Sequence, residues 1–306
     1  MATVKKHPGI GPRHLRFDVQ SSSDRERVDM LKTYESGKIV LLENCGFDLD
    51  YGLFEGVRVV DHADKHVNYL IAKLSMADYL EILWGPEDQF KSLNRGSERS
   101  PRSPEDEQTF AELKRHLRAV TFNDVELRYR LARQIMKFQK QVLDFYLKVF
   151  PEYGYYKYSI NWRLRESRAE SMHVDAYRID RDFHQVKLFI NLDTAPRIWN
   201  TGEDMQLLIS RHLDDMKLRE YLGLHYHRFL EECDRLLFDP VKGPPDCQYF
   251  DTTFFDTGDV WIAETRNIPH QIFFGRKMVS VQFYVDPSAR VAPAAAMANY
   301  VHQLAS

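Results

Sequence analysis

His173-Val174-Asp175-Ala176-Tyr177, followed by the run Gln185-Val186-Lys187-Leu188-Phe189-Ile190-Asn191-Leu192-Asp193, is the stretch on which the reading of this chain turns. In extended backbone, residues two apart face the same side, so His173 and Asp175 can offer an imidazole nitrogen and a carboxylate oxygen to one point. Two histidines and one carboxylate bind one face of a ferrous ion and leave the other face open. The third ligand must then be a histidine from a distant strand, and His270 is the candidate.

The pattern needs its context. The chain holds 12 histidines and three His-x-Asp triplets, whereas chance alone supplies about one in a sequence of this length. His62-Ala63-Asp64 sits in a charged run between strand-like segments and reads as a solvated turn. His212-Leu213-Asp214 lies within residues 207–218, whose apolar spacing is helical, so its two side chains diverge. Only His173 has strand context on both sides, with the aromatic, alternating run 155–165 before it and the apolar run 186–192 after it.

Residues 256–286 supply the rest: Asp256-Thr257-Gly258-Asp259-Val260-Trp261-Ile262 reads as a turn and a strand, a loop leads to His270, and Gly275-Arg276-Lys277 reads as a tight turn opening the last strand, which ends Phe283-Tyr284-Val285-Asp286. His-x-Asp, a distal His, and a basic pair opening that strand resemble the iron and 2-oxoglutarate dependent dioxygenases. In that superfamily the cation entering the last strand holds the distal carboxylate of 2-oxoglutarate. The resemblance therefore implies Lys277 as the cosubstrate anchor, with Arg276 as the alternate. Within the superfamily, His-Val-Asp-Ala-Tyr, then Lys187, Phe189 and Asn191, then Pro196-Arg197-Ile198-Trp199-Asn200-Thr201-Gly202-Glu203 resemble the Kdo hydroxylases, which oxidise 3-deoxy-D-manno-oct-2-ulosonic acid (Kdo) in the lipopolysaccharide inner core.

The resemblance implies an α+β fold with a double-stranded β-helix (jelly-roll, cupin-like) core, flanking helices and a helical insertion. The expectation is a single dioxygenase domain over 1–306: a mainly helical flank with an early strand at 1–150, jelly-roll core at 155–199 and 250–287, and a helical insertion or lid at 200–249. It also implies Fe(2+), 2-oxoglutarate and O2 as the reactants, hydroxylation at C3 of Kdo-bearing lipid A or its precursor, and release of succinate and carbon dioxide. Asp175 favours hydroxylation, since related halogenases lack this carboxylate. Two other classes stay open: a 2-oxoglutarate hydroxylase of a protein side chain or small metabolite, and a non-catalytic cupin-like binding protein.

Six arginines, Arg163, Arg165, Arg168, Arg178, Arg181 and Arg197, crowd around the metal motif, where a sugar acid and lipid phosphates need bidentate donors. Arg163, Arg165, Arg178 and Arg197, with Tyr177, are the substrate candidates, and Lys187 and Asn161 join the cosubstrate candidates. Lys187 inside a sheet needs an anionic partner, either a ligand carboxylate or a nearby acid. Trp199 and Trp261 read as packing.

The remaining sequence bounds the function. A net charge of -3 gives no basic field for nucleic acid. Three cysteines, Cys45, Cys233 and Cys247, without metal spacing suit a reducing compartment. No signal peptide opens the chain and no run reaches membrane-spanning length, so a cytoplasmic protein is expected, with contact to the inner face of the inner membrane implied by a lipid-borne substrate. Helices are expected at 24–34, 76–84, 109–120, 124–150, 204–222 and 226–238, a buried strand at 38–44, an exposed Ser/Pro/Arg/Glu-rich loop at 94–107, and an Ala-rich end at 291–305.

Overall fold

The computed structural model describes residues 14–59, 124–176 and 183–306, with residues 104, 108, 111, 115 and 121 between the first two stretches. The helix expected at 76–84, most of the 94–107 loop and of the 109–120 helix, the His62/Asp64 pair, and Tyr177, Arg178 and Arg181 lie outside the described residues.

Strands β1 (His14–Asp18), β2 (Ile39–Glu43), β3 (Tyr155–Arg168), β4 (His184–Asn191), β5 (Arg197–Thr201), β6 (Asp251–Phe255), β7 (Val260–Ile262) and β8 (His270–Val285) form one eight-stranded sheet. Its order is β1-β2-β7-β4-β8-β5-β6, and β3 pairs β8 off this path. Only the β1–β2 pairing is parallel among the described strands. The organising element is β8: β3 runs along it, β4 pairs its stretch Met278–Val285, and β5 pairs its stretch His270–Phe274.

β8 corrects the sequence reading. Gly-Arg-Lys was expected as a turn between two strands, but 270–285 is one strand of 16 residues, and Gly275 has no left-handed φ. The glycine serves close approach instead, since a Cβ on Gly275 would lie 2.3 Å from Nη1 of Arg197.

Alternation along the strands divides the apolar residues between two clusters. Val186, Leu188 and Ile190 of β4 and Val279, Val281, Phe283 and Val285 of β8 enter the large core shared with the helices α1 (Asp24–Glu35), α2 (Tyr51–Glu55) and α3 (Val125–Val149). Phe189 and Met278 point the other way, into a cluster with Trp199, Phe255, Trp261 and Ile272. α3 follows from its sequence: Asp124 caps it by accepting from Leu127 N at 2.9 Å, and Leu131, Ile135, Phe138, Val142 and Phe145 recur at helical spacing on its buried face.

The insertion builds a third layer. α4 (Met205–His212), a 3-10 turn at Leu218–Tyr221, α5 (Tyr226–Leu237) and the terminal helix α6 (Met297–Ala305) share their own apolar cluster, with Leu208, Leu218, Phe229, Leu230 and Leu237 essentially without exposure. The helix expected across 204–222 breaks after His212, and Lys217 turns the chain with φ +55. Val174, between the two candidate ligands, is 2% exposed and belongs to this cluster. Among the described residues no helix is long and apolar enough to cross a membrane.

Candidate metal centre

The three residues singled out from sequence converge. Ligand atoms of His173, Asp175 and His270 lie within 4.8 Å of one another. The backbone brings them together: His173 bridges the first residue of β8, with His173 N donating to His270 O at 3.1 Å and His270 N to His173 O at 2.8 Å. Asp175 N donates to Thr265 O at 2.9 Å, which anchors the carboxylate on the loop before β8. The two imidazole centroids are 4.6 Å apart, and His270 stacks on Trp199 at 5.2 Å and 23°.

The hydrogen bonds select the tautomers. His173 Nδ1 sits 2.8 Å from Ser171 O and His270 Nδ1 3.1 Å from Ile268 O, contacts that only a protonated Nδ1 makes favourably. Each Nε2 then keeps its lone pair for a cation. His270 is 4% exposed, and burial, seconded by the neighbouring His173, lowers its pKa to about 3, so it is neutral across the physiological range. Burial opposes the charge on Asp175, but the Lys187 ammonium outweighs it and holds the carboxyl well below the usual carboxylate range. Two imidazoles whose Nδ1 atoms are committed to backbone carbonyls, and a carboxylate that is ionised at neutral pH, form the donor set of a divalent iron site, so these residues fit the ion.

The Lys187 ammonium pairs with Asp175 Oδ2, a nearby acid of the kind its place inside the sheet calls for. The side chain comes from the face of β4 that carries Phe189; opposite it on β8 is Gln282, opposite Phe189 is Ser280, and opposite Asn191 is Met278. On the far side of β8 the same rows end in Ser159, Asn161 and Arg163. Asn161 Oδ1 and Arg163 Nε are buried and find no hydrogen-bond partner among the described residues, as polar groups meant for a bound polar molecule would be.

Other expected residues sit elsewhere. Lys277 pairs Leu164 of the large core, and its Nζ donates to Phe54 O at 2.6 Å, on the α2 side of the sheet. Alternation turns Lys277 away from the face that holds Met278 and Lys187, so the structure does not bring this expected cosubstrate anchor to the ligand atoms. Its alternate, Arg276, is engaged bidentately by Asp193, with Nε to Oδ2 2.6 Å and Nη2 to Oδ1 2.8 Å. Arg168 pairs with Glu166 at the surface, 72% exposed, so the expected arginine cluster is not one patch. Arg197 is buried, 2% exposed, with its guanidinium against Gly275. Arg165 lies in β3, and Tyr177 and Arg178 are outside the described residues.

Two contributors went unread in the sequence, Thr265 and Asp234. Asp234 Oδ1, from α5, accepts the Val174 N–H at 2.9 Å, and burial pushes its carboxyl up to about 8. Neither carries a motif, because one acts through its backbone carbonyl and the other sits 60 residues from its partner on an ordinary amphipathic helix. A second group of metal-capable atoms, His212, Asp246 and Cys247, reads differently. Asp246 is neutralised by Arg211 Nη1 at 2.6 Å and bonded by His212 Nε2 at 3.0 Å, and burial raises the Cys247 thiol to about 12. That arrangement ties the turn before β6 to α4 as an ion-pair strap. It also bears out the sequence reading that His212 and Asp214 diverge, since Asp214 pairs with Arg219 at 2.5 Å.

No protein-family model matches the chain, and neither does any curated protein. Solved structures do match. The apo structure of the Kdo hydroxylase KdoO, a non-heme Fe(II) alphaketoglutarate dependent dioxygenase, aligns with a TM-score of 0.58 and 16% identity over 95% of each chain. The chain shares its fold. The same enzyme in complex with succinate and Fe(III) aligns with a TM-score of 0.58 and 16% identity over 96% of each chain. KdoO in complex with alphaketoglutarate and Fe(III) gives 0.57 and 15% over 95% of each.

Proposed function

We propose that this chain is an Fe(II)/2-oxoglutarate-dependent dioxygenase that hydroxylates Kdo, at its deoxy carbon C3, in Kdo-bearing lipid A or its precursor. The observation that carries the reading is the convergence of His173, Asp175 and His270, with both Nδ1 atoms committed to backbone carbonyls and the carboxylate held ionised. The substrate class is supported by the likeness to Kdo hydroxylase structures over almost the whole chain. In this reading the sheet is the double-stranded β-helix of the superfamily, in a single domain with the α4–α5 layer as its insertion.

His173, Asp175 and His270 would hold the ion. When bound, ferrous iron and 2-oxoglutarate together supply the power to insert one atom of dioxygen into an unactivated C–H bond, with succinate and carbon dioxide as coproducts. Lys187 and Asn161 are assigned to the cosubstrate: they share one face of the sheet, and the Lys187 ammonium already sits at a ligand carboxylate, so a second carboxylate can share it. Arg163, next on that face, and Arg197 are assigned to the acidic sugar. The aromatic wall behind His270, in which Trp199 stacks on the imidazole and meets Phe189 and Trp261 edge to face, would keep water from that side of the ion. Contact with the anionic inner leaflet would bring a lipid-borne sugar to the site.

The test is product analysis. Purified enzyme with ferrous iron, 2-oxoglutarate and air should add one oxygen atom to the Kdo unit of Kdo-lipid A, located by fragmentation mass spectrometry. Unmodified lipid, with succinate formed only when another acceptor is offered, would move the chain to a different hydroxylase substrate class.

A further inference from the structure

This inference rests on the reading of His173, Asp175 and His270 as metal ligands, and it concerns the chain between two of them. We propose that Asp234 is a positioning residue for the metal centre: its side-chain oxygen Oδ1, presented by α5, sets the spacing of His173 and Asp175 by holding the peptide between them.

Three consecutive backbone N–H groups of the ligand segment go to three different parts of the molecule. His173 N is bound by β8 through His270 O at 3.1 Å, Asp175 N by the loop before β8 through Thr265 O at 2.9 Å, and Val174 N by α5 through Asp234 Oδ1 at 2.9 Å. Beyond its single bridge to His270 the segment belongs to no strand, so these contacts, with the Val174 side chain, determine where its two ligands point. The side chain works with the carboxylate. Val174 is 2% exposed in the cluster formed by α4, α5 and α6, while its neighbours on either side turn toward His270. The alternation that aims His173 and Asp175 at one point is thus enforced by what the residue between them is fastened to.

Asp234 is also expensive where it stands. It is largely buried beside Asp175, a placement that penalises a carboxylate twice, through lost hydration and through a like charge. A helix needing only to be packed would carry an apolar residue there, as it does at Leu230, Cys233 and Leu237. The acceptor for Val174 N is what the position supplies. Among the three acceptors it is the one that belongs to a side chain, so it can be removed by substitution without touching the backbone.

The experiment measures ferrous iron affinity anaerobically, by competition with a chromogenic chelator, for wild type, His173→Ala, Asp234→Ala, Asp234→Asn and Leu230→Ala, with the melting temperature of each. Removing a group that orients a ligand costs metal affinity roughly tenfold to a hundredfold, and that loss is expected for Asp234→Ala. Asp234→Asn keeps an oxygen acceptor and should stay near wild type. Leu230→Ala should lower the melting temperature and leave iron affinity unchanged. Wild-type affinity in Asp234→Ala, equal weakening in Asp234→Asn, or equal weakening in Leu230→Ala would each overturn the positioning role. Iron binding that survives His173→Ala overturns the metal reading itself, and this inference with it. Should Asp234→Ala fail to fold, amide exchange of Val174 in the wild type decides: protection comparable to the α5 amides is expected, and exchange as fast as an exposed loop amide contradicts it.

Discussion

At the scale of residues, the site is a division of labour among cations as much as a set of ligands. Lys187 reaches Asp175, Arg276 is taken by Asp193, and Lys277 is spent on the carbonyl of Phe54 at the end of α2. A charged hydrogen bond to a carboxylate contributes about 1.5 to 3 kcal/mol, so Lys187→Ala should raise the 2-oxoglutarate concentration needed for half-maximal succinate formation roughly tenfold to a hundredfold. Lys277→Met should leave that concentration unchanged and lower the melting temperature, because it strips a buried acceptor of its partner. The opposite pattern would return the anchor to the start of the last strand. His173, Asp175 and His270 were legible because metal chemistry demands those residue types at a spacing the sequence displays. The side to which Lys277 points was not, because reading Gly275-Arg276-Lys277 as a turn broke the strand along which parity from His270 is counted.

At the scale of elements, β8 shows where the sequence was read well and where it was not. The apolar alternation of 278–285 and its aromatic neighbours announced a strand, but Gly275 was read as a turn because glycine followed by two cations usually is one. What determines the glycine is the Arg197 guanidinium, which is distant in sequence and visible only once β5 is laid beside β8. Gly275→Ala should therefore push against that guanidinium and cost about 1 to 3 kcal/mol, measured by urea unfolding. An unchanged midpoint would mean that Arg197 moves aside freely. Helix α3 was read almost to the residue, since its cap, its stripe and Pro151 are all local signals. The insertion was legible as helical but not as a layer with its own core, because its cluster draws on Val174 and on α6, far apart in the chain.

Over the whole molecule, two charged systems meet the sheet: the candidate metal centre on the Lys187 face, and a buried network around His184 that ties α1 and the C-terminal segment to β4. Glu35 accepts from Val291 N at 3.0 Å, Ala292 N at 2.6 Å and the Tyr153 hydroxyl, and Glu264 accepts from Arg266 Nε and Nη2, both at 3.0 Å. With both carboxylates thus engaged, His184 stays at 3.5 Å from each, and burial lowers its pKa from 6.5 to about 4. Between those values the unfolded chain binds a proton that the folded chain does not, so stability falls as pH falls through that window, by about 2 kcal/mol from about pH 7 to about pH 5. Urea unfolding at the two pH values should show this loss in wild type and a shallower one in His184→Leu; parallel losses would place the titration elsewhere. The ligand face of the sheet carries the proposal that the chain oxidises a substrate with iron held by His173, Asp175 and His270. The most direct test is succinate formation from 2-oxoglutarate with ferrous iron, dioxygen and Kdo-lipid A, in wild type and in His173→Ala. Iron-dependent oxidation at this site gives substrate-dependent succinate in the wild type and none in the variant; equal succinate in both, or none in the wild type, would contradict it.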